Sequence, residues 1–298
     1  MERLLANPLF VPGGFLALFF LILVVAGGQF VPQDPLKTDI WHVLAPPGED
    51  YPLGTDNLGR CIFSRLVTGS RFTLGTALIV EAFVLAIGIL AGTSAGYFGG
   101  ILDKVLLILI DVLLAFPSII LALVIAGFLG AGLTNLVIAF VSVYWVEPAR
   151  IARNISRSVR EKDFILSARA SGSGAFKIIR RHIAPHVFPN MLIYGTLDLS
   201  SIIIGVSSMS FIGLGVKPPA PEWGALLSEG RAYMRENPFM ILPAIGCIML
   251  SAACFQFLGE ALRDAMNPRK SHLPEAFSKH RILKKKRIIL RGLFCWRQ

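Results

Sequence analysis

Long apolar stretches alternate with short polar ones along the chain. Six stretches are long enough to cross a bilayer, at roughly 9–30, 73–97, 105–129, 131–149, 190–213 and 239–260. About 20 apolar residues in a helix span the hydrocarbon core, and a helix satisfies every backbone group internally. The pattern therefore predicts an all-α integral membrane protein with six spans. The first stretch exceeds the apolar region of a signal peptide, so we interpret it as a retained anchor.

Composition agrees with a membrane location. Of the 298 residues, 54% are hydrophobic and only 16% are charged, whereas roughly a quarter of residues are charged in ordinary soluble domains. The formal net charge is +10, but no basic face carries the interleaved aromatic side chains that are typical of nucleic-acid binding. We therefore expect the cations to face membrane lipid or a protein partner, and we expect no nucleic acid partner.

The cations also predict the orientation of the spans. Segment 150–185 holds nine Lys or Arg against two acids, and segment 263–298 holds eleven against two. Cation-rich loops remain cytoplasmic, so both termini are expected inside. The chain then divides into a first helix with an extracytoplasmic loop (1–72), a core of five spans (73–268) and a basic cytoplasmic tail (269–298), which we expect to touch anionic lipid.

The cationic segment between the fourth and fifth spans has a helical pattern of its own. Its sequence predicts a short helix, a break of small residues at 171–174 and a second helix that begins near Ala175. A bilayer does not require a polar helical hairpin at this place. We therefore interpret the hairpin as a docking element for a cytosolic protein.

The first extracytoplasmic loop contains the turn sequence LGTDNLGR, to which Asp56 and Arg60 belong. An amphipathic piece follows, with Ile62 and Leu66 on one side and Arg65 on the other. This pattern favours a helix that lies in the membrane interface, and a direct contact with the solute is the alternative.

The loop after the fifth span is held extended by prolines at 218, 219 and 221. Trp223 suits a membrane interface, and a short helix is expected from Trp223 to Met234. This helix either caps a pathway or contacts an extracytoplasmic partner, or it simply packs over the spans. Glu222 and Trp223 join Asp56 and Arg60 as the candidate residues for a gate or a partner contact.

Four acids that interrupt the apolar stretches are singled out: Glu81, Asp111, Asp198 and Glu260. Near the predicted cytoplasmic ends, Lys104 is placed to pair with Asp111, and Arg263 is placed to pair with Glu260. Glu81 and Asp198 lie deeper and have no evident partner. We expect them to line a polar path, or to be satisfied by a Ser or Thr of a neighbouring helix.

The hairpin resembles the cytoplasmic loop of the transmembrane permease subunits of bacterial ABC importers, which carries the pattern E-A-A-x3-G-x9-I-x-L-P. Ala168, Gly172 and Pro185 match this pattern. Leu166 stands in place of the acid, so the resemblance does not extend to an ion pair with the ATPase at that position. Across residues 50–268, LGTDNLGR, SAGYFGG, DVLLAFPS, FIGLGVKPPAPEWG and GEALRDAMNP resemble the second permease subunit of the dipeptide, oligopeptide, nickel and opine branch. Cys61 replaces an Asp of that branch.

The resemblance implies the architecture and the partners. It implies six helices of the ABC importer permease type in the bacterial inner membrane, with a second homologous permease subunit, two cytosolic ATPases and an extracytoplasmic solute-binding protein. ATP and Mg would be bound by the ATPases, because this chain has no G-x4-G-K-[ST] loop and is not expected to be an enzyme. Within the coupling loop 150–189, the residues that the resemblance assigns to ATPase coupling are Asp163, Ser167, Ala168, Arg169, Gly172 and Pro185.

The solute is less well defined than the family. GAGLTNLVIAF, LSARASGSG and TLDLSSIIIGVSSMSFIGLGV look more like nickel-importer permeases than dipeptide ones. No His lies inside a predicted span, so nickel would cross as a chelate, or along carboxylates and backbone carbonyls. No metal site and no catalytic residue is assigned to this chain. Peptides and opine-type metallophores are the alternative solutes, and a secondary transporter or a membrane enzyme are the alternative classes.

Overall fold

The computed structural model describes residues 7–266, and within this range every regular element is a helix. In chain order the helices are α1 (Phe10–Ala26), α2 (Ile62–Phe98), α3 (Gly100–Leu114), α4 (Ser118–Leu129), α5 (Leu133–Tyr144), α6 (Val146–Arg160), α7 (Asp163–Ala170), α8 (Ala175–Ile178), α9 (Ala184–Phe211), α10 (Trp223–Gly230) and α11 (Leu242–Met266). A π-helical turn, Ile179–Ile183, joins α8 to α9. The predicted basic tail, 269–298, lies outside the described residues.

Five helical stretches are long and apolar enough to cross a membrane. They are Phe10–Gln29, Ile62–Phe98, Leu133–Arg160, Ala175–Phe211 and Pro238–Met266. Large apolar side chains cover the outside of the bundle; Phe15, Ile101 and Phe128 are 72%, 81% and 89% exposed. A soluble protein would bury such side chains, whereas lipid accepts them. The predicted all-α membrane architecture is confirmed.

The third predicted span is bent. Instead of one helix over 105–129, α3 and α4 meet at an angle of 86°. Pro117 lies at the break, in an extended conformation that immediately precedes α4. Because proline lacks an N–H group and its ring disfavours a helical residue before it, α3 must end ahead of this position. The predicted third stretch, 105–129, is therefore two helices broken at Pro117, which count as one span only if the bent pair crosses together.

The second span is longer than its sequence pattern indicated. Residues 62–72 are not a separate interfacial helix, because they form the first turns of the 37-residue helix α2. Arg65, expected on the polar side of an interfacial helix, is fully buried. The interpretation of this piece as a helix lying in the membrane interface was therefore wrong. The buried guanidinium group of Arg65 needs partners inside the protein.

Helices α2 and α6 approach each other through glycine. A Cβ atom on Gly92 would lie 2.2 Å from the Ala149 carbonyl oxygen, and a Cβ on Gly96 would lie 2.5 Å from that of Arg153. Only glycine permits this distance, and small residues spaced four apart are the usual means of close helix packing in membranes. On the far side of α6, Arg153 forms a two-pronged ion pair with Asp103 of α3, with both N–O distances at 2.6 Å.

The remaining spans pack around α2 and enclose the short helix α10. Helix α9 contacts both α2 and α11, and α11 contacts α1. Trp223, the first residue of α10, is fully buried, and its ring centroid is 6.0 Å from that of Phe20 in α1. Helix α10 is thus inserted into one end of the bundle. The two ends of the bundle carry different chemistry, and the candidate sites are found there and between them.

Candidate functional site

Five of the six predicted coupling residues lie in a helical hairpin, and the sixth, Pro185, lies in the first turn of α9. Helices α7 and α8 form its two arms, as the sequence predicted. Ala168 is half-buried, and the other five predicted coupling residues are exposed: Asp163, Ser167, Arg169, Gly172 and Pro185. The prediction that they bind an ATPase is not tested by this geometry. The surface they form is nevertheless open to a partner.

Three isoleucines hold the hairpin against the bundle. Ile165 of α7, Ile178 of α8 and Ile183 of the π-helical turn are each completely buried. They pack in one cluster with Val159 of α6 and Tyr97 of α2. Full burial of an aliphatic side chain contributes about 1.5–3 kcal/mol, so these three side chains give the hairpin a firm attachment to α2 and α6.

Aromatic contacts fix α7 further. The guanidinium carbon of Arg169 lies 5.0 Å from the centroid of the Tyr97 ring, which is a cation–π distance. On the other face of α7, the Phe164 ring is 6.1 Å from the His182 ring. His182, which stands where the family pattern has Ile, thus connects the π-helical turn to α7.

Gly172 makes the turn between the arms. Its φ angle is +76°, a left-handed conformation in which other residues are strained. The Gly172 N–H donates to the Arg169 carbonyl oxygen at 2.9 Å, and the Ser173 N–H donates to that of Ala168 at 3.1 Å. No atom lies within 4 Å of the position that a Cβ would occupy. The glycine is therefore required by the backbone, and not by packing within this chain.

At the opposite end of the bundle, four charged residues form a group that we call the first-loop network: Asp56, Arg60 and Arg65, which are buried, and Glu229, which is half-buried. Asp56 Oδ2 lies 2.7 Å from Arg60 Nε and 2.5 Å from Arg65 Nη1. Glu229 Oε2 lies 2.7 Å from Arg60 Nη2 and 2.6 Å from Arg65 Nη1. Two carboxylates thus balance two guanidinium groups. The network joins the first loop and α2 to the end of α10.

The other end of α10 is fixed by Glu222 and Trp223. Glu222 caps the helix by accepting a hydrogen bond from the Ala225 N–H at 3.0 Å, and it accepts another from the Thr73 hydroxyl at 2.7 Å. The Trp223 indole N–H donates to the Leu66 carbonyl oxygen at 2.9 Å. Burial raises the pKa of Glu222 above its ordinary value, and the hydrogen bonds from Thr73 and the backbone oppose this shift.

These contacts correct the picture of an outer contact surface. The four candidate residues, Asp56, Arg60, Glu222 and Trp223, are all at most 4% exposed. A binding protein cannot touch them in this conformation, and Trp223 is a core residue instead of an interfacial one. Their grouping at the two ends of α10 leaves a gate role as a prediction. Sequence reasoning missed Glu229 as a partner, because it is 164 residues from Arg65.

Glu81 and Asp198, which the sequence singled out separately, face each other between α2 and α9. A Cβ atom on Gly195, which lies one helical turn before Asp198 on α9, would be 2.6 Å from Glu81 Oε1. Glu81 is only 5% exposed, and neither of its carboxylate oxygens accepts a hydrogen bond from any described residue. The alternative of a hydrogen bond from a Ser or Thr to Glu81 is therefore wrong. Their role in lining a path stays a prediction.

A third carboxyl group, that of Glu147, belongs to the same region. The Tyr194 hydroxyl donates to Glu147 Oε2 at 3.2 Å, and Tyr194 lies one helical turn before Asp198 on α9. We refer to Glu81, Glu147 and Asp198 as the mid-span carboxyl cluster. Sequence reasoning missed Glu147, although this residue lies two positions before the end of the predicted fourth span, 131–149. The helical repeat of Ile151 and Ile155, both packed on the hairpin cluster, was the signal that the helix continues.

The two remaining acids of the apolar stretches behave differently. Glu260 forms the expected ion pair with Arg263. Asp111 is exposed, and no Lys or Arg among the described residues lies within ion-pair distance of it. Its predicted pairing with Lys104 was wrong, because the two residues are two helical turns apart on α3.

Comparison with known proteins identifies the family of the chain. The family model described as "Binding-protein-dependent transport system inner membrane component" matches residues 85–270. This range contains the hairpin, α10, Glu147 and Asp198, whereas Glu81 lies four residues before it. The match covers more than half of the chain.

Three relatives align over most of their own length. The nickel transport system permease protein NikC of Escherichia coli is 36% identical over 248 residues, which are 83% of this chain and 89% of the relative. The dipeptide transport system permease protein DppC of Alkalihalophilus pseudofirmus is 32% identical over 268 residues, or 90% of this chain and 88% of the relative. The glutathione transport system permease protein GsiD of Pectobacterium atrosepticum is 33% identical over 271 residues, with 90% and 89% covered.

Proposed function

Because the chain belongs to the family of inner membrane components of binding-protein-dependent transport systems, it is a multi-pass ABC importer permease, and we propose that it forms half of a translocation pathway for nickel. A second homologous permease subunit would supply the other half. Two cytosolic ATPases would bind and hydrolyse ATP with Mg, and an extracytoplasmic solute-binding protein would deliver the solute. Family membership favours this function over the secondary transporter and the membrane enzyme.

The observation that supports ATPase coupling is the hairpin with its buried isoleucines. Its inner side is fixed to α2 and α6, whereas Asp163, Arg169 and Gly172 remain exposed. A docking element must be accessible to the partner and must also transmit force without bending. The hairpin meets both requirements, because α7 follows α6 after only two residues.

Nickel, as an ion or as a chelate, is the solute that the sequence favours, and the similarity to NikC supports it. Residues 7–266 contain no group of three His, Cys, Asp or Glu that could hold a metal ion. A nickel ion would therefore need ligands from a chelator, from water or from the second permease subunit. Dipeptides, oligopeptides and opine-type metallophores are the alternative solutes, and the similarity to DppC and GsiD favours peptides among them.

The experiment is ATP-driven uptake by the complete transporter in proteoliposomes. Uptake of Ni²⁺, of nickel chelates and of short peptides would be measured together with ATP hydrolysis. Substitution Gly172→Trp should reduce uptake about tenfold or more while ATP hydrolysis continues, because the indole ring would occupy the docking surface. Normal uptake by this variant would contradict the docking role.

Gly100 provides the matched control. It also has a positive φ angle, of +61°, and also has open space around the position of a Cβ, but it lies at the start of α3 and outside the hairpin. Gly100→Trp introduces a similar backbone strain and a similar side chain. Equal loss of uptake in both variants would mean that strain, and not docking, explains the effect.

A further inference from the structure

The mid-span carboxyl cluster brings together acids from three different helical spans. Glu81 lies near the middle of the helix Ile62–Phe98, and Glu147 lies in the first turn of α6, at the end of the apolar part of the fourth span. Asp198 lies about one turn beyond the middle of Ala175–Phe211. Carboxyl groups at such a depth are costly, and in membrane proteins they usually mark an ion or substrate pathway.

Nothing within the described residues compensates these three acids with positive charge. The ion pairs of residues 7–266 include neither Glu81 nor Glu147 nor Asp198. Both oxygens of Glu81 and Oδ2 of Asp198 are buried without a hydrogen-bond donor. A cation or a proton must balance a cluster of this kind. The side chain of Glu81 is almost completely buried, at 5% exposure, and its two oxygen atoms are unpartnered.

The cluster is open at one side. Glu147 is exposed, Tyr194 and Asp198 are half-buried, and Glu81 is buried. Gly195 leaves the space for the innermost group, since a Cβ at this residue would lie 2.6 Å from Glu81 Oε1. A ligand that reached Glu147 would therefore find further oxygen atoms leading inward from the exposed surface.

The chemistry of the oxygen atoms indicates the ligand class. Carboxylate and phenol oxygens are hard donors, which suit cations that keep part of their water or carry ligands of their own. The cluster does not bring three ligands close enough to enclose a bare metal ion. From these observations, and resting on the proposed transport function, we infer that Glu81, Glu147 and Asp198 form a cation-selective binding site for a hydrated divalent ion or a positively charged chelate in transit.

The test measures binding of radioactive Ni²⁺ to the assembled permease–ATPase complex in detergent, without the solute-binding protein. Glu81→Gln, Asp198→Asn and Glu147→Gln should each weaken saturable Ni²⁺ binding, and ATP-driven Ni²⁺ uptake should fall about tenfold or more, which corresponds to about 1.4 kcal/mol. Asp111→Asn, an exposed acid of another span, is the matched control and should leave both quantities unchanged. Glu147 is exposed, so its variant should fold even where the buried variants do not.

The outcomes separate this inference from the transport function. If the wild-type complex imports a peptide but neither binds nor imports Ni²⁺, the cation site is wrong and the permease role stands. If Ni²⁺ binding is unchanged in Glu147→Gln and in the folded buried variants, the three acids hold only a proton and the inference is also wrong. If the wild-type complex shows no ATP-driven uptake of Ni²⁺, nickel chelates or peptides, the proposed transport function fails, and Ni²⁺ binding still tests the site.

Discussion

In the first-loop network two carboxylates face two guanidinium groups, whereas in the mid-span carboxyl cluster three carboxyl groups face no Lys or Arg among the described residues. Helix α2 contributes to both, through Arg65 near its start and Glu81 near its middle. The same helix therefore carries a neutralised group of charges at one level and an uncompensated one at another.

The difference in charge balance indicates a structural role for the first-loop network and a ligand-binding role for the mid-span carboxyl cluster. The first-loop network balances its own charges and joins distant segments, which is what a structural element requires. The mid-span carboxyl cluster stabilises nothing that an apolar packing would not stabilise better, because unpaired buried carboxyls cost free energy. Its cost to folding is the physical reason to look for a ligand there, and substitutions should affect the two regions in opposite ways.

The largest effect is expected from removal of one partner in the first-loop network. Arg65→Met leaves Asp56 and Glu229 with one guanidinium group between them in a buried place. Loss of a buried ion-pair partner destabilises by about 3–5 kcal/mol. The fraction of monodisperse protein that remains after heating in detergent should fall at a much lower temperature than for the wild type.

The control for this variant is Arg263→Met, which removes the partner of Glu260 from an exposed ion pair. An exposed pair contributes at most about 1 kcal/mol, so this variant should unfold close to the wild type. An unchanged midpoint for Arg65→Met would show that the first-loop network does not hold α10 to the bundle.

A smaller effect of opposite sign is expected in the mid-span carboxyl cluster. Glu81→Gln replaces an uncompensated carboxyl by an amide of the same shape, which should leave the heating midpoint unchanged or raise stability by up to about 2 kcal/mol. The same heating assay measures it. Strong destabilisation would instead mean that the carboxyl of Glu81 is needed for folding, and the contrast between the two regions would disappear.

The smallest effect concerns Glu222, which is buried and hydrogen-bonded but has no cationic partner in the described part of the chain. Its folded-state pKa lies above the ordinary value of 4.5, so the folded protein binds this proton more readily than the unfolded chain does. Stability should therefore fall as pH rises from the ordinary pKa through the folded one. Glu222→Gln cannot release a proton, so the difference between variant and wild type should depend on pH, by about 1 kcal/mol or less.

This prediction is checked by comparing the heating midpoints of wild type and Glu222→Gln at about pH 5 and about pH 8. The wild type should lose more stability over that interval than the variant. A parallel change in both proteins would assign the pH dependence to other groups.

Local pattern was sufficient for much of the architecture. The apolar stretches predicted five helices that the structure contains, and the small residues at 171–174 predicted the hairpin with its turn at Gly172. Apolar length and turn composition are properties of neighbouring residues. They can be read from the chain without knowledge of the tertiary structure.

Tertiary contacts were not accessible in the same way. Arg65 looked like a polar residue of an interfacial helix, because its partner Glu229 is 164 residues away. Trp223 looked interfacial for a similar reason, although Phe20 of the first helix covers it. Glu81 was recognised as unusual from its sequence context alone, but its neighbours Glu147 and Asp198 are brought to it only by the packing of three spans.

The glycine contacts between α2 and α6 have a mechanical consequence. At Gly92 and Gly96 the two helices meet backbone against backbone, so neither can slide or tilt independently of the other. Helix α6 carries Glu147 in its first turn and ends at the base of the hairpin, about 20 Å away at 1.5 Å per residue. A force applied to the hairpin at Gly172 would therefore move α2 and α6 together, and with them Glu81 and Glu147.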